Sequence, residues 1–125
     1  MRCSSSPILL LVALFFLGTV SCACAQSQVE MTAQSWAEFD KADKELNAVY
    51  QKLLKSLEDD IARKKLIAAQ KAWVAFRDAQ AELDADAERG GSLENQERAI
   101  SETETTKARI EELKGRLDSH SAKDY

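Results

Sequence analysis

The sequence predicts an all-α fold: an elongated antiparallel bundle of three long helices that follows an N-terminal leader. Three observations predict it. Beyond Ala25 there is no proline, and the only glycines are Gly90, Gly91 and Gly115. The same stretch is dominated by Ala, Leu, Lys, Glu, Gln and Arg, which lose little on entering a helix. Apolar residues recur at three- and four-residue steps, and nowhere alternate with the period of two that a half-buried strand requires.

The leader comes first. Arg2 supplies a positive n-region, Ile8 to Leu17 form an unbroken apolar run, and Ala23-Cys24-Ala25 place small residues where a signal peptidase reads them. This pattern predicts cleavage before Gln26, so that residues 1–25 are a signal peptide, residues 26–125 are one helical domain, and the protein is periplasmic or secreted. The apolar run is short of the roughly 20 residues needed to span a bilayer. An uncleaved anchor is one alternative reading. Lipid attachment at Cys22 or Cys24 is another, but Thr19 and Ser21 stand where a lipid-attachment site usually carries Leu. Without lipidation, no membrane association is expected after cleavage. All three cysteines (Cys3, Cys22, Cys24) fall in the leader. The exported domain is therefore expected to lack the disulfides that small exported domains often use. It also has no thiolate for metal or nucleophilic chemistry.

The whole chain carries a formal net charge of −4. Arg2 is the only charged residue of the leader, so residues 26–125 hold 16 basic and 21 acidic side chains and a net charge of −5. That balance argues against nucleic acid as a partner, because phosphates demand a basic face. It suits steering toward basic proteins.

The first helix is expected over residues 29–57. Trp36, Phe39, Leu46, Tyr50, Leu53 and Leu57 form an amphipathic seam, widened by Ala42, Val49 and Leu54. Ser27 with Glu30 and Ser35 with Glu38 each fit a capping box, leaving two candidate starts. The second helix is expected over residues 60–88, with a seam of Ala62, Leu66, Ala69, Trp73, Phe76 and Leu83. Asp59 and Asp60 suit its positive N-terminal end. The 56–60 junction can be read as a turn or as a kink in one longer rod. Gly90-Gly91 is the clearest break in the chain, and Ser92 is a candidate cap for the third helix, expected over residues 93–117. Leu93, Ile100, Ile110, Leu113 and Leu117 should face inward. Thr103, Thr106 and Lys107 interrupt that stripe, consistent either with a loosely packed or kinked centre or with a polar groove open to a partner. The tail from Asp118 onward is expected to fray.

No catalytic or cofactor-binding constellation is visible. His120 is the only histidine, short of the three or four ligands a zinc site needs. Asp84, Asp86 and Glu88 lack the glycine and spacing of a calcium loop, and Gly90-Gly91 has no lysine motif after it for phosphate. An enzyme is not expected, nor a cofactor or a metal. Two charged residues stand on apolar faces: Asp43 on the first seam and Arg77 beside Trp73 and Phe76. An unpaired buried carboxylate is costly. An Asp43–Arg77 pair between helices, with Asn47 and Gln70 as hydrogen-bonding neighbours, is therefore expected, and its role would be to fix helix register.

The segments Ala42-Asp43-Lys44-Glu45-Leu46-Asn47-Ala48-Val49-Tyr50 and Ala69-Gln70-Lys71-Ala72-Trp73-Val74-Ala75-Phe76-Arg77-Asp78-Ala79 carry a recognisable pattern. With Gly90-Gly91-Ser92 and the later Thr106, Arg109 and Leu113, they resemble the small exported bacterial domain at the N-terminus of LprI-type lysozyme inhibitors. The resemblance covers nearly all of residues 26–125. It implies an exported helical binding protein. Its partner would be lysozyme or another basic envelope protein, with Asp43, Leu46, Asn47, Tyr50, Gln70, Trp73, Phe76, Arg77 and Asp78 as the family motif. The alternative is an envelope structural or interaction module without inhibitory activity. Cysteines usual in that family are replaced here at Gln34-Ser35-Trp36, Gln80-Ala81 and Ile100-Ser101.

Overall fold

The computed structural model describes residues 20–122, with side chains from residue 27 onward. Residues 1–19, most of the expected leader, lie outside it, as do the side chains of the three cysteines. Helix α1 runs Val20–Ser56, α2 runs Asp60–Ala85 and α3 runs Glu94–Ser121, with a short 3-10 turn at Asp86–Glu88. The described residues contain no strand. The expected cleavage point before Gln26 falls inside α1.

The helix ends show which local signals operate. Neither Ser27 nor Ser35 starts a helix. No proline or glycine interrupts the backbone there, and the Ser35 hydroxyl donates back to the Met31 carbonyl at 3.0 Å. Leu57, Glu58 and Asp59 make a turn, which settles the 56–60 junction. Asp59 caps α2, its two carboxylate oxygens accepting from the Ile61 and Ala62 amides at 3.1 and 3.2 Å. Arg63 donates from Nε to the Leu57 carbonyl at 2.6 Å and closes the same turn.

At the other end, Gly90 takes φ of +74°, open to glycine at no steric cost. The Gly91 amide donates to the Glu88 carbonyl at 2.8 Å, and a Cβ on Gly91 would stand only 2.9 Å from that oxygen. Ser92 is not the cap of α3. Leu93 occupies that position without a side-chain bond. The Glu94 carboxylate instead reaches back to accept from the Gly90 amide at 2.8 Å. The tail does not fray at Asp118: α3 continues to Ser121, with the Ser119 and Ser121 hydroxyls bonded to carbonyls of its last turns.

Consecutive helices are antiparallel, so α1 and α3 run parallel. The ion pairs show the register: Glu45 of α1 meets Lys114 of α3, Asp43 of α1 meets Arg77 of α2, and Glu82 of α2 meets Arg98 of α3. α1 and α3 share the longest interface, α2 packs on α3, and α1 and α2 meet sparsely.

The core sits between α1 and α3. Leu46, Val49 and Leu53 interlock with Ile110 and Leu113, and Tyr50, Leu66, Trp73 and Leu117 pack around them. On α3 the inward line is 99, 103, 106, 110, 113 and 117, an unbroken alternation of four- and three-residue steps. The helix passes through its centre without interruption. Thr103 and Thr106 are buried in the seam, whereas Lys107 is exposed; of the three, only Thr106 is wholly enclosed. The Thr103 hydroxyl donates to the Ala99 carbonyl at 2.7 Å, and Thr106 has no residual exposure. A threonine fills a methyl-sized space in a tight seam and can satisfy its hydroxyl on its own helix.

The seam of α2 differs from expectation. Phe76 and Leu83 are 55% and 67% exposed, and Ala69 is exposed as well. The buried positions of α2 are Arg77, Ala81 and Ala85. The inward face is rotated because Arg77, with its charge matched, takes the place expected for Phe76, one residue and about 100° away.

Candidate functional site

Several of the motif residues meet in one cluster that joins all three helices. Arg77 is the hub. It is buried, and its Nη1 donates to Asp43 Oδ1 across the α1–α2 gap at 3.2 Å. Its Nε and Nη2 reach Asp78 Oδ1 at 2.9 and 2.8 Å. The guanidinium also lies over two rings, 5.1 Å from the Phe39 centroid and 5.4 Å from that of Trp73, within the range where a cation is held by the ring quadrupole. Asn47 donates to the second oxygen of Asp43 at 3.0 Å. One buried cation thus has two carboxylates and two aromatic faces, which is how a buried charge becomes tolerable.

A second arginine completes the arrangement from α3. Arg109 is buried and lies 5.7 Å from the Trp73 ring, so Trp73 carries a guanidinium from two helices. Arg109 Nε donates to Gln70 Oε1 at 3.2 Å, and its Nη1 to Glu112 at 2.6 Å. Gln70 therefore serves Arg109 and does not bond the Asp43–Arg77 pair. Arg116 also donates to Glu112. Those bonds, Arg109's first, hold the Glu112 carboxyl below its ordinary value. Nearby, burial raises Glu102 above its ordinary value against the pull of Arg77. Lys114 is raised by its bonds to Glu45 and Glu111.

The remaining motif residues divide by environment. Leu46 belongs to the core and Tyr50 packs against it. Phe76 points away from Arg77, Trp73 and Asp43 and faces outward. Arg109 enters the cluster although the sequence marks it only as part of the later pattern with Thr106 and Leu113, one turn before Leu113 on the buried side of its helix; Glu112 has no such mark. Thr103 and Lys107 border a shallow hollow with Ser35 and Glu38, and Thr106 is closed to any partner. A larger cleft of about 430 Å³ lies at the opposite end, floored by Leu53, Leu57 and Leu66.

The arrangement offers positioned charge. Among the described residues no three His, Cys, Asp or Glu side chains are placed to hold a metal. No helix among them is long and apolar enough to cross a membrane.

The family model described as lysozyme inhibitor LprI matches residues 21–113, spanning α1, α2 and most of α3. An uncharacterized protein of Rhizobium meliloti (strain 1021) is 32% identical over 110 residues, covering 78% of this chain and 79% of its own. No solved structure matches. The chain belongs to the LprI lysozyme inhibitor family.

Proposed function

We propose that this member of the LprI family is an exported binding protein that inhibits lysozyme-type muramidases, acting through residues 26–125 after removal of the leader. The observation that carries the reading is the family match across all three helices. Charge supports it. The domain is acidic, and acidic side chains crowd the Gly90 end, where Asp84, Asp86, Glu88, Glu94 and Glu97 are exposed or half-buried. A basic enzyme would be steered toward that end at low ionic strength.

In this reading the motif cluster around Arg77 has a structural role. Arg77, Asp43, Trp73 and Arg109 fasten α2 to the other two helices and hold its acidic end in place. Binding then belongs to exposed residues outside the cluster. The test is turbidity clearing of bacterial cell walls by lysozyme with the purified exported domain added. Inhibition should rise with dose and weaken as salt screens the charges. No slowing at high molar excess would leave an envelope interaction module without inhibitory activity.

A further inference from the structure

The outer face of α2 is apolar and covered by nothing in the bundle. Ile61, Phe76 and Leu83 are 63%, 55% and 67% exposed. They share that face with Ala72 and Ala79, at positions 61, 72, 76, 79 and 83, which follow one helical stripe. All five residues are exposed. The two alanines, both small, leave room for another backbone to approach closely.

Charge along the same helix is segregated. Lys65 stands on the stripe itself between Ile61 and Ala72, and Lys64 and Lys71 flank it in its first half; Glu82 and Asp78, the latter also bonded to Arg77, flank it in its second half, and Asp86 follows just past the helix end. None of the three lysines has an ion-pair partner among the described residues, whereas Glu82 pairs on its inner side with Arg98 at 2.9 Å and remains mostly exposed. Lys64 and Glu82 lie on the same flank of the stripe, five turns apart.

We propose that this face docks a second copy of the chain, α2 against α2 in antiparallel orientation about a two-fold axis near residues 73–75. A two-fold interface sets the same patch on both partners. Here it would place Ala72 of each copy beside Phe76 of the other, and Lys64 and Lys65 of each beside Glu82. Parallel pairing would set lysine against lysine and is disfavoured. One helical face is a small interface, so the dimer is weak and concentration-dependent. The monomer described above is the unit that assembles, and the site around Arg77 stays inside each copy.

Sedimentation velocity over a wide concentration range tests the proposal on the exported protein, residues 26–125, as secreted. The wild type should shift from monomer to dimer as concentration rises. Phe76→Glu should weaken self-association by about tenfold or more, as loss of a central aromatic anchor does. Because Phe76 is exposed, its helical circular dichroism should be unchanged. Lys64→Glu with Lys65→Glu should also weaken it, and adding Glu82→Lys and Asp86→Lys to the same chain should restore it. A wild type that stays monomeric throughout would overturn the proposal. So would charge reversals that leave the dimer intact, or Phe76→Glu acting only on lysozyme inhibition, which would assign the face to the enzyme.

Discussion

The α1–α3 seam and the attachment of α2 are built from different materials. The seam is a leucine-rich ladder in which Leu46, Val49 and Leu53 meet Ile110 and Leu113. α2 buries Arg77, Ala81 and Ala85, packs Leu66 and Trp73 only partly buried against the seam, and relies further on ion pairs, arginine over aromatic rings and the Ser101 hydroxyl donating to Asp84 at 2.6 Å. Apolar burial contributes in proportion to area. A charged contact gains little unless every partner is in place. The seam should therefore set global stability, and α2 should be the element that opens first.

The largest effect expected is in the seam. Leu113 is fully buried, and Leu113→Ala should cost about 2–5 kcal/mol, read from urea unfolding and lowering all three helices together. Second is the hub of α2. Arg77→Met keeps the aliphatic stem and removes the charge, leaving two partly exposed carboxylates unmatched. It should cost about 1–2 kcal/mol, and the loss should concentrate in α2. If Arg77→Met instead proved as damaging as Leu113→Ala, the contrast between the two interfaces would fail.

Third is a gain. The Thr106 hydroxyl is buried without a hydrogen-bond partner among the described residues. Thr106→Val should stabilise by about 1 kcal/mol, visible as a higher melting temperature; a loss would show that the hydroxyl is satisfied. The smallest effect is on pH. Arg109's bond holds Glu112 below its ordinary value, so its contribution is present above the unfolded carboxylate range and is lost as pH falls through the folded value. Glu102 is raised by burial and works the other way, becoming less costly to bury as pH falls. Glu112→Gln should flatten the acid limb of stability, and Glu102→Gln should stabilise near neutral pH; both are read from thermal melts across the acid range.

The same contrast explains what the sequence made legible. The α1 seam and the inward line through Ile110, Leu113 and Leu117 followed from apolar spacing, because large apolar side chains define those faces. The Asp43–Arg77 pair was legible from the cost of an unmatched carboxylate. The face of α2 was not, since its bulkiest apolar residues, Phe76 and Leu83, point outward and alanines and an arginine point inward. Spacing weighted toward large residues turns that helix the wrong way. Thr103 and Thr106 misled for the related reason that a hydroxyl satisfied on its own helix, or simply enclosed, looks polar in sequence and behaves as filler in a seam. Ser27, Ser35 and Ser92 offered caps that the backbone did not need. Arg109 stood in the recognisable pattern, but its role was not legible, because its partners Trp73 and Gln70 come together with it only once α2 and α3 pack.

The most direct test of the motif as a fastener is amide hydrogen exchange in the native state, compared between wild type and Arg77→Met. Exchange should accelerate by about tenfold or more through the middle of α2, around residues 66–81. Amides near Leu46–Leu53 and Thr106–Leu113 should keep their protection. Equal acceleration in all three helices, or none in α2, would contradict the division of labour between the apolar seam and the charged clasp.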